Sequence, residues 1–141
     1  MEIREFRVAD YGEAYELWKA SPGVGLSDAD SRESIERFLE RNPLCSSVAR
    51  EQGRLVATAL AGHDGRRGYL YHVAVHPDWR RRGIGRAVAA RSLERLAAAG
   101  IRRCHLFIFA DNTSGQRFWS SLGWRERPDI KICSRDLTAP G

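Results

Sequence analysis

Three consecutive arginines, Arg80 to Arg82, stand between an apolar run and two glycines spaced by one residue, Gly83 and Gly85, in the stretch VAVHPDWRRRGIGRAV (Val73 to Val88). A strand that ends in a glycine-bearing loop and feeds a helix aims several unpaired backbone N–H groups, and the positive end of the helix dipole, at one spot. Such a spot binds anions. Gly83 and Gly85 permit close backbone approach and positive φ, while Arg80, Arg81, Arg82 and Arg86 surround the concavity with fixed positive charge. The expected occupant is a phosphate or pyrophosphate. A Walker A loop would need Gly-Lys-Ser/Thr where the chain has Gly85-Arg86-Ala87, and a dinucleotide fingerprint would need a third small residue where Val88 stands. Neither pattern fits.

The elements that must hold this junction follow from length and periodicity. The 141 residues suffice for one domain, 1–141, with a core that needs no staples. A net charge of +5 and a pI near 9.6 favour an anionic partner, whether nucleic acid, a membrane surface or a phosphorylated small molecule. Cys45, Cys104 and Cys133 are odd in number and lack CxxC or clustered histidines, which suits reduced thiols in a cytoplasmic protein and argues against a metal site. No apolar segment approaches the roughly 20 residues of a membrane span, so no membrane association is expected.

Along the chain, EIREFRV has the pattern of a first strand, and ADYGEAYELWKAS places Ala14, Leu17 and Trp18 at helical spacing. SPGVGLSD breaks that pattern, and Ser27 or Asp28 is placed to cap a second helix carrying Ile35, Phe38 and Leu39. Three β-like runs, LCSSVARE, RLVATALAG and GYLYHVAV, form an antiparallel meander whose second connection contains the hairpin signal Asp64-Gly65. Gly83 to Ala99 is a helix with Val88, Ala89, Leu93 and Leu96 inward and Arg91, Glu94 and Arg95 outward. RCHLFIFA is a strand buried on both faces, Asp111 or Asn112 caps a short helix bearing Phe118, and DIKICSRDL supplies a last alternating strand. Cys104 and Cys133 fall within strand patterns, as small buried hydrophobes.

RRRGIG (Arg80 to Gly85) resembles the R/Q-x-x-G-x-G/A signature of the GNAT superfamily of N-acetyltransferases, whose loop holds the pyrophosphate of acetyl-CoA. The flanking VAVHPDWR and the run NTSGQRFWSSLGW (Asn112 to Trp124) are similar to further motifs of that superfamily, and GHDGRRGYLYHVAVHP resembles its small bacterial members of the YpeA type. The resemblance implies an α/β (α+β) GNAT fold: a mixed, mostly antiparallel sheet of about 6–7 strands with about four helices, in the order β-α-α-β-β-β-α-β-α-β-β. Its fourth and fifth strands would splay. Residue by residue it implies that Val73, Ala74 and Val75 receive the pantetheine arm and that Arg80, Arg81, Arg82, Gly83, Ile84, Gly85 and Arg86 hold the pyrophosphate. Asn112 would contact the arm, and Phe118 and Trp119 would line the thioester end. The implied reaction is direct attack of a primary amine on the thioester of acetyl-CoA in a ternary complex, with acetyl-CoA and an amine acceptor as partners in a monomer or homodimer.

The chain departs from the family pattern in two places. Trp119 stands where many relatives carry a tyrosine that protonates the departing thiolate, and an indole N–H is a donor but no practical acid. Tyr69 and Phe107 stand where some relatives carry a glutamate base. The remaining candidates for proton transfer are His72 and Tyr69 or Tyr71, acting directly or through water. Without a carboxylate base, an α-amine or small-molecule acceptor is favoured over a protein lysine, because an α-amine near pKa 8 is already about a tenth neutral at pH 7. Two other classes compete: a non-catalytic acetyl-CoA sensor, and a nucleic-acid module stacking bases on Trp79, Phe107 and Phe109. The glycine-aromatic signature of an RNA-binding strand is absent, so no nucleic-acid partner is expected.

Overall fold

The structure, a computed structural model, describes residues 1–138. Five strands among these residues, β1 (Glu2–Glu5), β2 (Ser47–Glu51), β3 (Arg54–His63), β4 (Gly68–Val75) and β5 (Cys104–Leu106), lie in the spatial order of the sequence. The first four pair antiparallel, and β5 adds to β4 in parallel. Such a crossover needs a connecting helix, and α3 (Ile84–Ala98) supplies it. The other helices are α1 (Tyr11–Lys19), α2 (Arg32–Arg41) and α4 (Thr113–Ser121).

The sheet is covered on both faces. On one, Trp18 and Leu17 of α1 and Ile35 of α2 pack on Val48, Leu55, Leu60 and Ala74, and the fully buried Trp18 side chain stabilises the fold by about 2–3 kcal/mol. On the other, Val88, Ala89 and Leu96 of α3 pack on residues such as Val56, Ala61 and Leu70. The hairpin between β3 and β4 forms as its sequence requires: Asp64 Oδ1 accepts the N–H groups of Arg66 and Arg67 at 2.8 Å each, and Gly65 takes φ +90°.

Four expectations are corrected. DIKICSRDL begins in a turn and joins no strand, with Ile130, Ile132 and Cys133 exposed, so the sheet has five strands among the described residues rather than six or seven. Alternation alone makes no strand unless an edge accepts it. The expected long fifth strand is cut to three residues, and Phe107 and Phe109 are 55% and 52% exposed rather than buried. The cap of α2 is Ser31, whose Oγ accepts the Ser34 N–H, while Ser27 caps a separate turn, Asp28–Asp30. Finally, Arg91 is not on an outer face: its guanidinium donates to Leu44 O, Ser46 O and Ser47 Oγ at 3.0, 3.2 and 3.0 Å, tying α3 to the start of β2.

Candidate functional site

β4 and β5 pair only at Gly68, Tyr69 and Leu70, opposite Cys104, His105 and Leu106. Beyond that point β5 ends while β4 runs on to Val75, so the strands part and Tyr71 to Val75 turn an unpaired edge toward the gap. A cleft of about 1160 Å³ opens there. Unpaired strand edges accept extended ligands by adding a strand, so this edge suits a chain of amides.

At one end of the cleft lies the arginine loop. Gly83 takes φ +77° and Arg81 φ +64°, and this double left-handed turn brings the chain round into α3. Gly83 caps the helix without a side-chain partner, leaving the first-turn N–H groups available to an anion. Gly85 has a different reason to be glycine: a Cβ there would stand 3.2 Å from Val75 Cγ2 and 3.5 Å from Phe118 Cζ, so any larger residue intrudes where the strand, α3 and α4 converge. Arg80, Arg81, Gly83, Ile84, Gly85 and Arg86 line the cleft, and Arg82 does not. Arg80 Nε also donates to Val75 O at 3.2 Å, which closes the end of the β4 edge.

The walls bring together the other expected residues. Val73, Ala74 and Val75 come from β4, and Phe118 and Trp119 from α4. Trp119 meets Phe118 and Trp124 edge-on, at ring separations of 4.9 and 5.3 Å, which fixes its plane. Asn112 Oδ1 caps α4 by accepting the Gly115 N–H at 3.0 Å, so its side chain is shared between the helix and the cleft. Opposite lies the loop 21–25, where glycines mark the closest approaches: a Cβ on Gly23 would be 3.0 Å from Asn112 Nδ2, and one on Gly25 2.8 Å from Phe109 Cζ.

The proton-transfer candidates separate. Tyr69 is not in the cleft wall; it stacks on Tyr71 and Phe107 at 6.2 and 6.3 Å. Tyr71 is in the wall, and burial pushes its hydroxyl pKa above the ordinary value, away from use as a base near neutrality. His72 is in the wall as well, and its position depends on a β-bulge. Between Thr58 and Leu60 the register with β4 slips from Ala74 to Tyr71, so β4 carries one extra residue, and His72 takes φ +49°. Tyr71, His72 and Ala74 then all face α1 and α2, where regular alternation would send His72 to the α3 side. Trp18 Nε1–H donates to Thr58 Oγ1 at 2.9 Å, and Thr58 Oγ1–H donates to His72 O at 2.7 Å, which pins the bulge.

One functional candidate escaped sequence reasoning. Asp30, buried in the turn before α2, sets Oδ1 2.6 Å from His72 Nε2 while its Oδ2 accepts the Ser27 N–H at 3.0 Å. The only signal along the chain was the Ser27-x-x-Asp30 spacing of a capping box, which announces a helix start rather than a site. The cleft wall holds three arginines and His72 but, among the described residues, no carboxylate and no lysine. No group of three or more His, Cys, Asp or Glu side chains among the described residues could hold a metal ion.

The acetyltransferase (GNAT) family model matches residues 11–124. An acetyltransferase of Photorhabdus laumondii is 37% identical over 131 residues, covering 90% of this chain and 88% of the relative. One from Sodalis glossinidius is 32% identical over 137 residues, covering 97% and 96%. Among solved structures, an aminoglycoside N-acetyltransferase in complex with CoA superposes with a TM-score of 0.76 at 22% identity, over 97% of this chain and 95% of that one. The ribosomal-protein-S18-alanine N-acetyltransferase of Escherichia coli gives 0.73 at 23%, over 89% and 78%.

Proposed function

The chain belongs to the GNAT family of acetyltransferases, and from that premise we propose that it moves an acetyl group from acetyl-CoA to a primary amine, by direct attack in a ternary complex, with a small molecule or an α-amine as acceptor. The observation that carries this is the parting of β4 from β5 directly beside the uncapped start of α3. The two features together offer an unpaired strand edge for the pantetheine amides and a cationic, N–H-rich pocket for the pyrophosphate. Val73 to Val75 would hold the arm, Arg80, Arg81 and Arg86 with the first-turn N–H groups the phosphates, and Phe118 and Trp119 the thioester end. When bound there, acetyl-CoA supplies an activated acyl carbon. The protein supplies position, exclusion of water and a route for the proton.

The acceptor class follows from what lines the cleft. A polycation such as an aminoglycoside needs carboxylates around its several ammonium groups, and none stands in this wall among the described residues. Tyr71, Phe107 and Phe109 offer apolar ring surface instead, which suits an amine with one charge and a compact apolar body. Thermal melting with acetyl-CoA, combined with a panel of amines and detection of free CoA, tests the proposal. Binding to the folded state alone adds about 2.7 kcal/mol at a hundredfold excess over Kd, a rise of about 5–11 °C in Tm for a chain of this size. An unmoved melting curve overturns the cofactor assignment. A raised Tm without turnover of any amine leaves an acetyl-CoA sensor.

A further inference from the structure

We propose that Asp30 is a positioning residue for acetyl transfer: by accepting a hydrogen bond from His72 Nε2–H, it leaves the lone pair of His72 Nδ1 as the base that takes a proton from the acceptor amine. This rests on the amine acetylation proposed above.

The geometry supports it at each bond. His72 Nε2 and Asp30 Oδ1 are 2.6 Å apart, the separation of a charge-assisted hydrogen bond, and Asp30 is 6% exposed. A carboxylate accepts and never donates, so the proton of a neutral imidazole must lie on Nε2 and Nδ1 must be the acceptor. The carboxylate is itself held, since Oδ2 accepts the Ser27 N–H and the Asp30 carbonyl accepts Tyr11 Oη–H at 2.6 Å. His72 Nδ1 makes no hydrogen bond among the described residues. Every buried side-chain nitrogen and oxygen among them has a partner, so the unpartnered Nδ1 is solvent-accessible, and His72 lines the cleft. The ring is clamped by Trp18, whose centroid lies 4.8 Å away at 62°.

Backbone geometry adds an independent observation. A non-glycine residue in the left-handed region costs about 1–2 kcal/mol, and the strand would avoid that cost by regular pairing. What the bulge achieves is to turn His72 to the Asp30 side while its neighbours keep the edge facing the gap. The groups that meet the pair are Tyr11 and Trp18 from α1, Ser27 from the turn before α2, and Thr58 from β3. Arg32 reaches only the Tyr11 ring, 5.8 Å from its centroid, and the cleft arginines lie at the loop end. Asp30 is therefore the one carboxylate bonded to the imidazole among the described residues.

An acceptor ammonium gives its first proton to Nδ1, and the freed nitrogen lone pair forms a bond to the thioester carbonyl carbon. The carbon–sulfur bond breaks with its electron pair on sulfur. The second proton, lost as the amide forms, neutralises the thiolate, and His72 returns its proton to solvent.

Asp30→Asn is the test, because it changes the tautomer without emptying the site. Asn Oδ1 still accepts the Ser27 N–H while Nδ2 donates to His72 Nε2, which forces the imidazole proton onto Nδ1, where it blocks the base. The expected result is a fall in kcat of about 10²–10⁴ with the acetyl-CoA Kd and the thermal shift unchanged. His72→Phe should fall equally, and the double variant no further, because the two act as one unit. The deficit should shrink as pH rises through the acceptor's own pKa, where solvent already removes the proton. An Asp30→Asn enzyme with kcat within about threefold of wild type, multiplicative losses in the double variant, or a deficit independent of pH each overturn the proposal. Should Asp30→Asn fail to fold, His72→Phe decides alone, since it keeps a ring against Trp18 and removes only the nitrogens; full activity then overturns it. If the wild type acetylates no amine, the proposed function falls and this inference with it. If wild type and Asp30→Asn both turn over, only this inference falls.

Discussion

At the loop end of the cleft, the arginines, both glycines and the first turn of α3 come from the consecutive residues Arg80 to Arg86, whereas at the other end His72 meets Asp30 across 42 positions of sequence. In the proposed function the loop end would bind through backbone N–H groups and fixed charge, which needs only its local dihedral angles to be set. The proposed role of the far end would require β3 and β4 to pair with the bulge in place, α1 to bring Trp18 against Thr58, and the turn before α2 to deliver a carboxylate. Damage at the loop end should therefore remove binding. Damage at the far end should spare binding and remove turnover.

The largest effect is expected from Gly85→Glu, which sets a carboxylate where a Cβ already stands 3.2 Å from Val75 and beside the phosphate site. Acetyl-CoA affinity should fall by more than about 100-fold by calorimetry, through clash and charge together. Arg95→Glu, at an exposed position of the same helix, is the control and should change Kd no more than about twofold. Arg91→Glu would be a poor control, since it breaks the three hydrogen bonds to the start of β2. Equal losses at positions 85 and 95 would turn the loop end into a diffuse basic surface.

Thr58→Val sharpens the contrast from the other side. It removes the hydroxyl that accepts from Trp18 Nε1 and donates to His72 O, and it leaves a buried indole N–H unpaired. Chemical denaturation should show a loss of about 1–3 kcal/mol, and the surviving folded enzyme should lose kcat while keeping its acetyl-CoA Kd. A change in Kd alone would contradict the division of labour. Trp119→Phe should be smaller in rate, below the 10²–10⁴ typical of losing an acid or base, because the ring shapes the pocket and gives up no practical proton.

The smallest effect on binding and turnover concerns a carboxylate outside both ends. Burial pushes Asp10 up, but Arg4 at 2.9 Å, the Arg7 N–H and Arg50 at 3.1 Å outweigh it and hold the carboxyl below its ordinary value. A depressed carboxylate contributes stability above its unfolded pKa and loses it as pH falls through the folded one. At neutral pH Asp10→Asn should lower Tm by removing these pairings; the wild-type Tm should begin to fall below about pH 4, and the Asp10→Asn variant should show less of that fall.

The order of elements through α4, the meander, the span of α3 and the cap at Asn112 were legible because each depends on residues a few positions apart: turn dihedrals, capping and hydrophobic period are local. The arginine loop belongs to the same class, and of its residues only Arg82 lies off the cleft. The strand expected at DIKICSRDL shows where local pattern stops, since alternation prepares a strand but an edge has to receive it. Tyr69 and Tyr71, alike in sequence, were separated by where β5 leaves β4.

What the sequence by itself determined is an arginine- and glycine-bearing strand-loop-helix junction and the helices and strands that frame it. What only the tertiary structure decided is which side of the sheet His72 faces and what it meets there. A bulge is a property of two paired strands, and a single inserted residue reverses the face of every side chain on one side of it, so no periodicity within β4 could assign His72. Asp30 reads along the chain as a turn residue beside Ser27, and it acquires a partner only because burying Trp18 draws the α1–α2 segment down onto the bulged edge of β4.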